Sequence, residues 1–297
     1  MVTRLILVQK SPGSSPGRPT NLLYSGFFNI LGHSFVLVTG STSGIGLEIS
    51  KYFASKGYNL ILTARRENIL NDLKKNLSLN YGILVDCIPA DLSLRGSPEK
   101  IYKFCESKGY SIEILVNNAG YAIPDPFHLT SIDEEEKFLR VLSTSVIALT
   151  KLFLKGMIKN KKGKIMIISS VAAFAPPSTI QFLYGPVKTF MNRFSEGINV
   201  SYNQIGITST AVCPGYTITN FHSSSGIQYE MDRVPKFLKK DSKRIAEIAV
   251  NATLNGKRVC IPTKTYKVIV FLLNIIPKSL FSAVNHYFSP GRYDKKF

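Results

Sequence analysis

The sequence predicts an α/β fold, a doubly wound parallel sheet of about seven strands with helices on both faces. Two observations carry this. Apolar runs of strand length alternate along the chain with longer helical patterns, as parallel strands joined by right-handed crossovers require. The first such run, Phe35-Val36-Leu37-Val38, breaks into Thr39-Gly40-Ser41-Thr42-Ser43-Gly44-Ile45-Gly46 before the pattern turns helical. It reads as strand, phosphate loop, helix.

After that loop, Ile45, Ile49, Tyr52 and Phe53 fall at helical spacing while Glu48, Ser50 and Lys51 lie off the stripe. Gly57 stands where a left-handed residue would end the helix. Later strands are expected at 59–63, 83–89, 112–117, 164–169, 207–213 and 259–262, each an apolar run bounded by turn residues. The longest helices inferred are 134–160 and 182–203, with apolar stripes and lysines elsewhere. In such a sheet, ligands collect beyond the carboxyl ends of the strands.

Three glycines at the first junction let the backbone approach a pyrophosphate and let the helix pack closely on its strand. The helix N-terminus then offers N–H groups and positive potential to the anion. No lysine follows Gly46, which argues against a nucleoside-triphosphate loop. A glycine-rich loop alone is equally an ordinary tight turn, so the residues downstream of it decide between the two.

At 297 residues the chain exceeds a typical domain, yet single α/β domains reach about 250 residues. The economical reading is an N-terminal extension over 1–33, an α/β domain over 34–263, and an apolar, basic C-terminal extension over 264–297. With 44% hydrophobic and 19% charged residues, the bulk can bury a core, which excludes a disordered chain. Residues 11–20 are rich in Ser, Pro and Gly, and no acidic residue precedes Glu48. Two readings of this start stand open. One is a basic targeting segment; the other is translated upstream sequence, because Gly13-Ser14-Ser15-Pro16-Gly17-Arg18 is what one frame of a transfer-RNA T-arm would encode.

The net charge of +18 raises affinity for anionic cofactors, anionic lipid or nucleic acid through long-range field alone. No nucleic-acid motif accompanies it, so no nucleic-acid partner is expected. Lysine outnumbers arginine by more than two to one, as a biased genome composition would also produce. Cys87, Cys105, Cys213 and Cys260 are widely spaced, with no Cys-x-x-Cys pair. They read as buried thiols in a reducing compartment, with neither disulfide nor zinc.

The spacing Thr39-Gly40-x3-Gly44-x-Gly46 resembles the dinucleotide loop of the short-chain dehydrogenases/reductases, in the single-domain branch, and further matches occur in the family's order from residue 35 to about 262. The resemblance implies a Rossmann-type fold in which Gly40, Ser41, Ser43, Gly44, Ile45 and Gly46 line the cofactor. Near residue 64, about twenty residues past the loop, a carboxylate would hydrogen-bond an NAD ribose. Ala64 stands there, and Arg65 and Arg66 come next, offering guanidinium forks suited to the 2′-phosphate of NADP. Arg65 is the expected contact and NADP(H) the expected cofactor. Asp91-Leu92 resembles the family's adenine contact. Asn117-Asn118-Ala119-Gly120 resembles its signature after the fourth strand, with Asn117 and Ala119 at the cofactor. Pro214-Gly215-Tyr216-Thr217-Ile218-Thr219 matches its Pro-Gly loop; by resemblance, Thr217 and Thr219 would hold the nicotinamide carboxamide.

Tyr184 and Lys188 lie four apart, hence on one helix face. A tyrosine near pKa 10 is a poor acid at neutral pH, and a neighbouring ammonium stabilises its phenolate. Pro186 suits a first helical turn. Ser170, at the end of an apolar run, is the expected hydroxyl that polarises a carbonyl together with Tyr184. It lies one residue farther from Tyr184 than is usual in the family, so Ser169 is the alternative. The family places an asparagine of a water-borne proton relay where this chain has Leu142, beside Ser143. An inactive relative is therefore a second reading.

The expected activity is NADP(H)-dependent interconversion of a ketone and a secondary alcohol, without a metal. Phe174, Phe182, Leu183, Tyr216 and Phe221 offer apolar walls and no cationic clamp, which favours an apolar, lipid-like substrate. A third reading is a membrane-surface binding protein. Beyond residue 263, Val268 to Ile276 is apolar and too short to span a bilayer as a helix, and Lys264, Lys267 and Lys278 flank it. It is either packed on the domain or laid in a membrane interface. The protein is expected in the cytoplasm, peripheral on a membrane surface if the second holds, and as a homodimer or tetramer by resemblance.

Overall fold

Phe35, Val36, Leu37 and Val38 are all removed from solvent, as a strand covered on both faces demands. They form β1 (Ser34–Thr39), near the middle of a sheet. The computed structural model describes residues 34–176, 182–219, 232 and 234–275. The chain divides into two units, Met1–Gly32 and His33–Phe297, and every described residue belongs to the second. The expectations for 1–33, for Phe221, for the lengthened loop over 177–181 and for the segment from Ile276 onward, Lys278 included, lie outside the described residues.

The strands in chain order are β1, β2 (Asn59–Ala64), β3 (Val85–Pro89), β4 (Ser111–Asn117), β5 (Gly163–Ile168), β6 (Ile207–Val212), β7 (Thr217–Ile218), β8 (Lys240–Asp241) and β9 (Val259–Cys260). Seven of them form one parallel sheet in the order β3-β2-β1-β4-β5-β6-β9, and β7 pairs with β8 as a separate ribbon. The order reverses between β1 and β4, which opens a crevice beyond their carboxyl ends.

The helices are α1 (Gly44–Ser55), α2 (Glu67–Tyr81), α3 (Ser97–Ser107), α4 (Ile132–Leu139), α5 (Ser145–Asn160), α6 (Tyr184–Tyr202), α7 (Ser242–Leu254) and α8 (Lys264–Ile275). One face of the sheet is covered by α1, α2 and α7 through Ile49, Phe53, Leu70, Ala246 and Val250. The other is covered by α3, α5 and α6 through Ile101, Leu149, Phe153, Val187 and Met191. The run Ile132–Asn160 is long and apolar enough to cross a membrane by length and composition. Its residues Leu149, Phe153 and Met157 are instead buried in the core.

Several boundaries depart from expectation, each for a local reason. The helix expected from 134 begins at Ile132, because Ser131 and Glu134 form a reciprocal capping box. It is interrupted by a π turn, Arg140–Thr144. The helix expected from 182 begins at Tyr184. β5 stops at Ile168, so Ser169 and Ser170 lie past the strand rather than in it. β9 is only two residues long, pairing Val259 and Cys260 with β6, and Pro262 has no N–H to extend it. Gly57 takes the left-handed conformation expected of it, with φ 80°.

Candidate active site

Thr39 ends β1, and its hydroxyl organises the glycine loop. Oγ1 donates to Val116 O (3.2 Å) and accepts from the N–H groups of Asn118 (2.9 Å) and Ala119 (3.1 Å). Asn118 returns the tie: Nδ2 donates to Thr39 O (2.9 Å) and Gly40 O (3.1 Å). Gly40 and Gly44 have φ of 66° and 56°, the region that favours glycine. The loop after β1 and the signature after β4 are thus one bonded unit. Asn118, not among the residues expected at the cofactor, is the clamp that joins them.

Ser43 occupies the N-cap of α1 but makes no side-chain capping bond, so its hydroxyl does not occupy the orphan N–H groups of the first turn. Ser41 is buried and donates to Thr63 O (3.4 Å). Beyond β2, Arg66 Nη2 lies 3.5 Å from Thr42 Oγ1, over the glycine loop. The neighbouring Arg65 carries its charge close enough to Tyr121 to oppose the upward push of burial on that phenol. Both arginines therefore border the crevice, and Arg66, the less favoured of the two from sequence, is the one that reaches the loop. Asp91 accepts from Ser93 N–H (2.9 Å), and Leu92 is buried behind it. Asn117 turns its side chain into the interior, donating from Nδ2 to Thr150 Oγ1 (3.4 Å). Thr219 stands beside Gly44, where a Cβ would come within 3.2 Å of it. Thr217 Oγ1 donates to Gly215 O (2.9 Å).

The hydroxyls of Ser169 and Ser170 are sorted by their partners. Ser169 is buried and donates to Lys188 O (3.0 Å), so it serves as a tie between β5 and α6. Ser170 caps the short turn Val171–Ala173, accepting from Ala172 N–H (3.1 Å). That turn packs against the start of α6: Thr189 Oγ1 donates to Ala173 O (2.9 Å), and a Cβ on Gly185 would lie 3.4 Å from Ala172 O. Val171 N–H donates to Pro214 O (3.0 Å), so the Ser170 turn is tied both to the start of α6 and to the Pro-Gly loop.

Lys188 is 5% exposed. Its Nζ donates to Ile168 O (2.7 Å) and lies 5.3 Å from the centre of the Tyr184 ring. Burial pushes this ammonium down to about 8. Leu142 is buried in the π turn, and a Cβ on Gly120 would meet its Cγ at 3.7 Å. Two residues before Tyr184, half-exposed Phe182 stacks on Phe127 with centroids 4.7 Å apart. Among the described residues, no cluster of three or more His, Cys, Asp or Glu could hold a metal ion.

The family model for short chain dehydrogenases matches residues 34–230. The chain belongs to the short-chain dehydrogenase/reductase family. It is 29% identical over 252 residues to a very-long-chain 3-oxoacyl-CoA reductase from Anas platyrhynchos, covering 83% of this chain and 77% of that one. It is 32% identical over 181 residues to the NADP-dependent 3-hydroxy acid dehydrogenase YdfG of Escherichia coli O6:H1, covering 61% and 71%. A solved short-chain dehydrogenase from Sphingobium yanoikuyae, in complex with NADPH, superposes with a TM-score of 0.74 at 25% identity, covering 89% and 99%. The protein is an oxidoreductase of this family, acting between alcohol and carbonyl groups with NADP(H). The uncapped start of α1, the left-handed glycines and the bordering arginines fit such a cofactor.

Proposed function

We propose that the protein interconverts an apolar, lipid-like ketone and its secondary alcohol, with Tyr184 as the proton donor in reduction. The observation that carries this reading is the buried Lys188 ammonium 5.3 Å from the Tyr184 ring centre, with the Ser170 turn packed on the same end of α6. When bound, NADPH supplies the hydride to the carbonyl carbon. The Tyr184 hydroxyl gives its proton to the carbonyl oxygen, so the alcohol is completed and a phenolate is left. Lys188 stabilises that phenolate, and Ser170 donates to the developing alkoxide alongside Tyr184. Gly40, Ser41, Ser43, Gly44, Ile45 and Gly46 would hold the pyrophosphate, Arg65 and Arg66 the 2′-phosphate, Asp91 and Leu92 the adenine, and Thr217 and Thr219 the carboxamide. Asn117, with its side chain turned inward, would contribute main chain only.

Lipid-like substrates are supported by the Phe127–Phe182 stack and by the name of one relative, a very-long-chain 3-oxoacyl-CoA reductase. The test is NADPH oxidation over aliphatic, steroid-like and acyl ketones, with wild type and Tyr184→Phe. Turnover should fall roughly 10⁴-fold in the variant while NADPH binding survives. A phenylalanine variant as fast as wild type removes Tyr184 from the chemistry. The second reading, an NADP-binding protein without turnover, is favoured by Leu142 alone; it wins if NADPH binds and no ketone reacts.

The segment after residue 263 is proposed as an extension to the domain of 34–263, with a face for anionic membrane. α8 buries Tyr266 and Val270, while Val268, Phe271, Leu272 and Ile275 are exposed, a spacing that forms one apolar stripe. Lys264 and Lys267 on α8, Lys236 and Lys239 in the segment leading into β8, and Lys240 in β8 itself supply the charge that anionic headgroups attract. The protein would then be cytoplasmic and peripheral. Full-length protein should float with anionic liposomes at low salt, and Phe271→Glu should not; wild type remaining in the soluble fraction refutes the contact.

A further inference from the structure

Tyr266 lies on α8, outside the residues matched by the family model, and touches the Pro-Gly loop from beneath. Its ring fills the space where Gly215 has no side chain: a Cβ there would lie 2.0 Å from the ring's Cζ. Its hydroxyl accepts from Tyr216 N–H (3.0 Å) and donates to Leu238 O (2.9 Å). The carbonyl of Tyr216 is held as well, accepting from Lys240 N–H (2.9 Å). Both main-chain groups of the residue preceding Thr217 are therefore bonded by segments beyond residue 230. Tyr266 is 3% exposed and packs in a small apolar cluster of its own with Val171, Tyr216, Val234, Leu238 and Ile269. Val171 is the neighbour of Ser170, so one side chain supports both the carboxamide loop and the serine turn.

We propose that Tyr266 is a positioning residue for the nicotinamide half of the cofactor: α8, through its hydroxyl, fixes the loop that presents Thr217 and Thr219. The inference rests on NADP(H) binding at those residues. A phenol that both donates and accepts inside an apolar cluster defines the height of the loop over α8, because its one oxygen bonds Tyr216 N–H and Leu238 O together. The adenosine half of the cofactor is held at the opposite side of the crevice, by the glycine loop and the arginines, and should not sense the change.

The discriminating experiment measures binding of NADPH and of adenosine 2′,5′-bisphosphate, which carries the adenosine end alone, to wild type and Tyr266→Phe. The ring is kept, so the space under Gly215 stays filled. The variant loses both bonds of the hydroxyl and should bind NADPH more weakly by about tenfold or more, and the bisphosphate unchanged. Val270→Ala, which loosens the same helix without touching the hydroxyl, should leave the ratio of the two affinities as in wild type. Equal weakening of both ligands in Tyr266→Phe, or of neither, overturns the proposal. If wild type binds neither ligand, the cofactor assignment itself fails and the proposal with it. Hydrogen exchange in unliganded wild type supplies a check that needs no variant. The peptide spanning 214–219 should already be protected, and exchange at the rate of an open loop would equally overturn the clamp.

Discussion

The side-chain nitrogen of Asn118 sits where a β-carbon on Gly46 would intrude, since an added Cβ would come within 2.2 Å of it. The third glycine is thus required by the clamp as well as by the helix–strand approach. Gly46→Ala must displace Asn118 from the oxygens of Thr39 and Gly40, leaving both without that donor, and must also push back the Gly40 carbonyl, which the added Cβ would meet as well. Asn118→Ala removes the same two bonds directly and should cost about 1–3 kcal/mol in denaturant unfolding. Because both changes break the same contacts, Gly46→Ala/Asn118→Ala should be clearly less destabilised than the sum of the two. Strict additivity would show that the glycine and the asparagine act independently.

Cofactor choice should divide between two arginines. Arg66 reaches Thr42 on the glycine loop, and Arg65 carries its charge toward Tyr121, so either could meet the 2′-phosphate under the proposed cofactor placement. Arg65→Asp and Arg66→Asp should each reduce kcat/KM for NADPH by about tenfold or more while NADH is affected far less, given the strength of a guanidinium–phosphate pair. An unchanged NADPH-to-NADH ratio in both variants would mean that the 2′-phosphate is bound elsewhere.

Much of this was legible because it is local. The alternation of strand and helix, the glycine loop and the Tyr184–Lys188 spacing are short-range patterns, and the sheet is built from them by general rules of connection. The choice of Ser170 over Ser169 was open in sequence, and the bond that separates the two hydroxyls runs from Ser169 to the carbonyl of Lys188, on another element. The ties that stayed hidden are non-local: Asn118 to Thr39 and Gly40, and Tyr266 to Tyr216 and Leu238, join segments far apart in the chain. No periodicity announces them. The π turn at Arg140–Thr144 was invisible for another reason, since its residues continue an apolar helical pattern without a break.

Leu142 offers a direct test of the relay. It is 2% exposed in the π turn and packs beside Gly120. Leu142→Asn should cost about 1–3 kcal/mol of stability, because an amide replaces a buried apolar group. If the leucine slows proton resupply to Lys188, the variant should also turn over faster, by up to about tenfold, with KM for NADPH unchanged. A folded variant with lower kcat would show that the wild-type relay does not pass through this position.

The pH dependence of stability should show a maximum near pH 9 in the cofactor-free protein. Burial holds Lys188 down to about 8 against an ordinary 10.5. The penalty of its buried charge is therefore complete below pH 8 and is relieved as pH rises toward 10.5. The thiols act in the opposite direction. Burial pushes Cys87, Cys105 and Cys213 up to about 12 and Cys260 to about 11, from an ordinary 9.0. Their contribution is whole below pH 9 and is lost above it, as the unfolded chain ionises first. Between about 8 and 9 the relief at Lys188 leads while the thiols of the unfolded chain only begin to ionise, burial holds Lys164 down in the same sense, and the falling net charge also relieves self-repulsion. Above 9, four thiols outweigh one ammonium. Thermal melts from about pH 7 to pH 11 should rise and then fall; Lys188→Met should flatten the rise, and Cys105→Ala should soften the fall. A melting temperature still climbing above pH 10 would mean that these thiols ionise as readily in the folded protein as in the unfolded chain.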